Sequence, residues 1–390
     1  MDHLLKKRIL ITGGLGYIGS ETFKMVRRLS EKPLSMIDQK FPRWKFDRPT
    51  RFAQGASREG IANLQPKIFD LARIRASQTA SKEYSSECLA IDKLADPVRN
   101  TARASAPEGP MGRAVSNGAD ASYNVQSLDL KDAAKTSKVI SDFKPDVIIH
   151  CATHSALAYR DHLSNSFQED FSATVNILNA LAGMPDCRLI YLSSSYVYSG
   201  LPANHNYDES SPLAPKHNFG IAKSFFEQFI LKIHPNTVIF RLCSVFGSGQ
   251  ALHPNVILTF AEECLKSNSL TVWGRGERKL QYIYMKDVVN TILRSVGLAS
   301  GIYNLGGDDY ISVRDTATDI AKFFSVKVDF LENKPEGETL PFLSNQKIKN
   351  IIKNNVFSPF SIALGEYLKS LNILTNYESH RITNNKSSYY

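Results

Sequence analysis

The chain has 390 residues, 43% of them hydrophobic and 22% charged, a composition that fits a soluble globular protein and excludes fibrous and low-complexity classes. Its net charge of +9 comes without basic clusters interleaved with aromatics, and no apolar run approaches the roughly 18 residues of a membrane span. Neither nucleic acid nor a membrane is therefore expected as a partner. The five cysteines (Cys88, Cys151, Cys187, Cys243, Cys264) form no CxxC pair and have no metal-ligand spacing, so reduced thiols, no metal site and a cytoplasmic setting are expected.

The N-terminal segment MDHLLKKRILITGG has basic residues before an apolar run, but the run is only about four residues long, too short for a signal-peptide core. KRILIT (7–12) reads instead as a buried parallel strand. A glycine-rich turn, GGLGYIGS, and an amphipathic helix over ETFKMVRRLSE follow. LSMID (34–38) reads as the second strand, which would complete a βαβ unit. From about 41 to 125 no clear periodicity survives, and the stretch is rich in Arg, Ala, Ser and Gly. So long a structureless stretch inside a compact domain reads as an insertion, largely disordered, or else as a small lid.

Alternation resumes with strands at YNVQSLDL (123–130), DVIIHCAT (146–153), CRLIYLSSS (187–195) and TVIFRLCSV (237–245). Helices are expected between them, near 131–143, 165–183 and 217–233. Strands alternating with helices predict an α/β fold with a Rossmann-type, doubly wound parallel sheet. Beyond Gly247 the pattern is more mixed, which predicts a smaller C-terminal α/β substrate lobe. The expected boundaries are 1–246 for the sheet domain, interrupted at about 41–125, then 247–374 for the lobe and 375–390 for a flexible tail.

The glycine turn carries the first functional signal. Gly13, Gly16 and Gly19 follow a strand and open a helix, a context that permits a tight turn and close approach to a pyrophosphate. Tyr17 and Ile18 lie within the helix start, whose N–H groups and dipole favour phosphate. Asp38, about 20 residues further on, would accept the ribose hydroxyls and repel a 2′-phosphate, favouring NAD over NADP.

With these residues in view, the chain resembles the extended short-chain dehydrogenase/reductase family, and more narrowly its NAD-dependent epimerase/dehydratase branch. The resemblance covers about residues 7–40 and 123–370. It implies that Asp129 and Leu130 of SLDLKD lie beside the adenine, and that Cys151, Ala152 and Thr153 form a turn beneath the dinucleotide. It assigns the catalytic serine of LSSSYVY to Ser194 and the catalytic lysine to Lys223. Cys243 would lie beside the nicotinamide, and Ser244, Arg278 and Lys279 would bind a nucleotide-sugar substrate. A homodimer through two helices of the sheet domain is a further expectation of the resemblance.

Four positions depart from the family pattern. Phe219 replaces the catalytic tyrosine of HNFGIAK, Asp170 replaces an asparagine, Ser244 another asparagine, and Leu280 an arginine. In the family a tyrosinate takes a sugar hydroxyl proton while hydride passes to NAD⁺, with a lysine one helical turn on holding the tyrosine's charge. Phenylalanine keeps the ring and loses the atom that moves the proton, a loss worth roughly 10²–10⁴-fold in rate. His217, Tyr196, Tyr198 or a water held by Ser194 and Lys223 are the candidate replacements. Asp170 reads as a polar residue on a helix face, and His154 as either a surface residue or a substrate contact. Two functions stay open: an NAD-dependent nucleotide-sugar epimerase or dehydratase, serving polysaccharide biosynthesis, and a catalytically silent NAD-binding relative with a regulatory or scaffold role.

Overall fold

β1 (Ile9–Thr12) is apolar on both sides, and Ile9, Leu10 and Ile11 are all fully buried. A strand of this kind has to lie inside a sheet covered on both faces, and it does. A computed structural model describes residues 7–14, 16–30, 88–92, 123–249, 255–352 and 357–371. After β1 come α1 (Tyr17–Ser30), β2 (Cys88–Asp92), β3 (Tyr123–Ser127), α2 (Ala133–Phe143), β4 (Val147–His150), α3 (Ala156–Asp161) and α4 (Leu163–Leu181). Then follow β5 (Arg188–Ser194), a 3-10 turn (Ser195–Tyr198), β6 (Asn206–Tyr207), α5 (Asn218–Ile233), β7 (Thr237–Leu242) and β8 (Ser244–Phe246). The remainder comprises α6 (Val256–Lys266), β9 (Ser269–Trp273), β10 (Lys279–Tyr284), α7 (Met285–Arg294), β11 (Gly301–Leu305), β12 (Tyr310–Ser312), α8 (Val313–Phe324), β13 (Lys327–Leu331), β14 (Phe342–Leu343) and α9 (Gln346–Ile351).

Seven strands form one parallel sheet in the order β11-β7-β5-β4-β1-β2-β3. Alternate residues of its strands feed two cores. Ile9, Ile11, Ile149, Ile190 and Leu192 pack with α7 on one face. Leu10, Ile148, Leu189 and Tyr191 pack with α2, α4 and α5 on the other. This is the expected doubly wound Rossmann-type sheet. A three-stranded sheet, β12-β10-β8, has its own apolar cluster with α6 and α8, and two short strand pairs accompany it.

Among the described residues, the strand beside β1 comes from a segment that the sequence pattern left unassigned. Cys88–Asp92 pairs with β1, in the register Ile9↔Cys88 through Thr12↔Ile91, and β3 lies on its far side. The stretch 41–125, read as structureless, therefore contains an interior strand of the sheet, between β1 and β3. LSMID and Asp38 lie outside the described residues. Both segments end in Ile-Asp after apolar residues, so the local signal is the same. A second local difference is at Cys243, where the run TVIFRLCSV breaks. β7 ends at Leu242, and β8 begins at Ser244 in the other sheet, paired with Tyr282 of β10.

Candidate active site and cofactor cleft

The glycine turn is built for close approach. Gly13 has φ of +69°, a conformation that L side chains rarely adopt, and an added Cβ would lie 2.8 Å from the Ala152 nitrogen. A Cβ on Gly19 would lie 2.1 Å from the Gly13 carbonyl oxygen. The Gly16 amide donates to that carbonyl at 2.8 Å, closing the turn at the N-terminus of α1. The turn therefore lies directly against the end of β4, at the carboxyl edge of the sheet where doubly wound folds bind ligands. A dinucleotide pyrophosphate fits this cradle, because backbone fills the space any side chain would need. The Tyr17 side chain turns away from the cradle and donates to the Gly247 carbonyl at 3.2 Å, while Ile18 packs into the core. Only their helix-start amides can serve phosphate.

Behind the turn, Thr12 Oγ1 lies 2.7 Å from Nδ1 of the buried His150, and burial lowers the His150 pKa to about 4. Leu130 is buried in the second core, and Asp129 Oδ1 accepts from the Lys131 amide at 3.0 Å. Cys151 and Cys243 pack against the first core, and burial pushes both thiols up to about 12, which leaves them poor nucleophiles.

Lys223 joins this cleft to the strand that ends in Ser194. Its Nζ donates to Thr153 Oγ1 at 3.0 Å, to the Tyr191 hydroxyl at 3.2 Å and to the Leu192 carbonyl at 2.9 Å. The side chain is almost wholly buried, and desolvation lowers its pKa to about 8 against the opposing pull of Asp170 and Glu227. The Phe219 ring centroid lies 5.5 Å from this ammonium. Ser194 ends β5, and its Oγ accepts from the Tyr196 amide at 3.3 Å, capping the 3-10 turn. A hydroxyl that accepts there still has its own proton to donate. Phe219 and Lys223 are thus brought together, with Thr153 beside the ammonium and Tyr196, whose amide bonds Ser194 Oγ, beside the Phe219 ring.

Two features of the site were not legible in the sequence. Asp170 lies on the buried face of α4: its carboxylate accepts from the His154 amide at 3.1 Å and the Tyr159 hydroxyl at 2.9 Å, and lies 2.7 Å from His154 Nδ1. Glu227, one helical turn beyond Lys223, accepts from the Ser193 hydroxyl and pairs with Arg241 of β7 at 2.7 Å. The spacing of Lys223 and Glu227 put them on one face of α5, but nothing local identified their partners.

The candidate substrate residues are less closely gathered. Ser244 opens β8, and the Lys279 side chain is exposed at the start of β10. The Arg278 guanidinium rests on Gly337, and the Arg278 amide donates to Glu336 at 2.8 Å. Glu338 of the same loop meets Lys216 and His217 at the start of α5, tying Arg278's loop to the helix of Phe219. Leu280, by contrast, is buried in the core of the second sheet. Among the described residues no group of His, Cys, Asp and Glu could hold a metal ion.

The sequence profile of the NAD dependent epimerase/dehydratase family matches residues 77–306, more than half of the chain, and the match opens shortly before β2. The chain belongs to the NAD dependent epimerase/dehydratase family. Among similar curated proteins, methionine adenosyltransferase 2 subunit beta of Xenopus tropicalis is 26% identical over 227 residues, covering 54% of this chain and 65% of that protein. A trifunctional UDP-glucose 4,6-dehydratase/UDP-4-keto-6-deoxy-D-glucose 3,5-epimerase/UDP-4-keto-L-rhamnose-reductase of Arabidopsis thaliana is 26% identical over 229 residues, covering 53% of this chain and 33% of that protein. The chain thus spans between a third and two thirds of the length of these relatives. Among solved structures, the UDP-glucose 4-epimerase of Thermus thermophilus, complexed with NAD, gives a TM-score of 0.65 at 18% identity, covering 93% of this chain and 98% of that one. An epimerase of Methanothermobacter thermautotrophicus gives 0.69 at 16% identity, covering 97% and 96%. At these identities the structures establish the shared family fold.

Proposed function

We propose that this member of the epimerase/dehydratase family binds NAD and transiently oxidises a hydroxyl of a nucleotide sugar, as an epimerase or dehydratase. The observation that carries the reading is the Lys223 ammonium, held between Thr153 at the cofactor turn and Leu192 of the strand that ends in Ser194. NAD, when bound, supplies the hydride acceptor and donor. The chain's own groups do the rest. The Gly13–Gly19 turn and the first amides of α1 hold the pyrophosphate, and Leu130, Cys151, Ala152, Thr153 and Cys243 line the remainder of the cleft. Ser194 donates to the reacting oxygen, and Lys223 holds positive charge beside it. Arg278, Lys279 and Ser244 face the anionic nucleotide; the Arg278 Nε, buried without a hydrogen-bond partner among the described residues, supports that role.

The relatives' printed activities on UDP- and dTDP-sugars support the substrate class, and polysaccharide biosynthesis is the use that the reading implies. The cytoplasmic reading draws support from four unpaired thiols among the described residues, where no helix is long and apolar enough to cross a membrane. A homodimer is proposed through α4 and α5. Leu163, Phe167 and Phe171 recur every fourth residue on one helix, and Ile221, Phe225, Phe229 and Ile233 on the next. Ring contacts such as Phe171–Phe229, at 5.7 Å, join the stripes, yet Ile221 and Ile233 are more than half exposed. An apolar face of this kind suits an isologous contact.

The test is turnover of UDP-, dTDP-, GDP- and CDP-sugars by the purified protein with NAD⁺, with products separated chromatographically and bound NADH followed by absorbance. Conversion of any sugar supports the reading. NAD binding without conversion of any sugar would favour the silent relative.

A further inference from the structure

We propose that the hydroxyl of Tyr196 replaces the one missing at Phe219, hydrogen-bonding the reacting sugar hydroxyl and moving its proton. This rests on the proposed oxidation of a sugar. Four other phenols near the catalytic segment are committed elsewhere. Tyr159 donates to Asp170 at 2.9 Å. Tyr191 is fully buried beneath Lys223. Tyr198 donates to the Asp208 carbonyl at 2.9 Å and also meets Asn304 and Arg241. Tyr207 donates to the Pro202 carbonyl at 2.9 Å. The Tyr196 hydroxyl makes no hydrogen bond among the described residues, and its side chain is only partly buried.

Its position is fixed against the vacated site. The Tyr196 ring stands edge-on to Phe219, with centroids 5.6 Å apart and planes at 76°. Its amide donates to Ser194 Oγ. A Cβ on Gly220, the residue after Phe219, would lie 2.3 Å from the Tyr196 carbonyl oxygen, so only glycine lets the helix and the turn meet this closely. The ring also lies 5.5 Å from His217, which pairs with Glu338. Tyr196 therefore adjoins both the serine that orients the sugar oxygen and the ring that took the tyrosine's place. Tyr196 acts as the tyrosinate, its hydroxyl proton having been released to solvent beforehand: its oxygen takes the sugar hydroxyl proton as the sugar is oxidised and returns it when the sugar is reduced, so the residue ends as it began. The electron pair of the C–H bond is the nicotinamide's share.

The test compares wild type, Tyr196→Phe, Phe219→Tyr and the double variant, measuring turnover together with separate affinities for NAD and the nucleotide sugar. Fluorotyrosine-labelled protein adds a readout independent of turnover: the fluorine resonance of Tyr196, assigned by its loss in Tyr196→Phe, is followed on adding each nucleotide sugar. The expected result is a fall in kcat of about 10²-fold or more in Tyr196→Phe, affinities changed less than about threefold, recovery in the double variant, and a resonance that moves with the sugar. Tyr196→Phe turning over within a few-fold of wild type would overturn the proposal. If wild type converts no sugar, the functional reading fails, and the resonance still decides the placement. Movement with a nucleotide sugar supports Tyr196 at the sugar, and an unmoved resonance overturns it.

Discussion

Arg241 Nη2 meets Glu227 Oε2 at 2.7 Å, with both side chains almost wholly out of solvent. The pair joins three elements, because Glu227 belongs to the helix of Phe219 and Lys223, while the Ser193 hydroxyl, beside Ser194, also bonds to it. Removing one partner leaves a buried charge uncompensated, which typically costs 3–5 kcal/mol. Glu227→Gln or Arg241→Met should therefore lower unfolding stability by about that much in denaturant titrations. Replacing both with apolar residues should cost clearly less than the two single losses summed.

Lys223 should leave a pH signature. Its folded pKa of about 8 lies below the ordinary lysine value of 10.5, chiefly through desolvation. Between these values the unfolded chain binds more protons than the folded one, so stability from this group rises as pH increases from about 8 to 10.5. Below about 8 both states are protonated and the desolvation penalty is present in full. Wild-type stability minus that of Lys223→Met should show this rise. A flat difference over that range would contradict it.

Asp170 is the foremost opposing influence on that lysine. Asp170→Asn should release the Lys223 proton at lower pH, observed by NMR of the lysine nitrogen. An unchanged midpoint would mean that the carboxylate's charge does not reach the ammonium.

At the glycine turn, Gly13→Ala meets both a positive φ and backbone at 2.8 Å, and Gly19→Ala meets a carbonyl at 2.1 Å. Each should cost about 1–3 kcal/mol in strain and weaken NAD binding at least tenfold by fluorescence titration. Gly183→Ala, with nothing within 4 Å of the added atom, is the control and should leave binding unchanged.

The apolar stripes on α4 and α5 predict concentration-dependent mass in light scattering. Phe171→Glu or Phe225→Lys should yield a monomer with unchanged circular dichroism, and an unaltered mass would place any dimer contact elsewhere.

Much of this could be read along the chain. Strand-helix alternation and runs such as VIIH and TVIF specify a sheet covered on both faces, because β-strands apolar on both sides have no other stable place. The glycine spacing and the position of Lys223 one turn after Phe219 are likewise local facts, set by turn sterics and helical periodicity. What the sequence could not rank was two Ile-Asp endings, at 38 and 92. Their local chemistry is the same, and the pairing of the strand ending at Asp92 with β1 is a long-range contact that no local pattern carries. Nor could it show that Asp170 is buried against His154 and Tyr159, that Glu227 holds Arg241, or which tyrosine hydroxyls are already bonded. Those are contacts between residues distant in sequence, which exist only once the helices have packed on the sheet, and they determine which groups remain for chemistry.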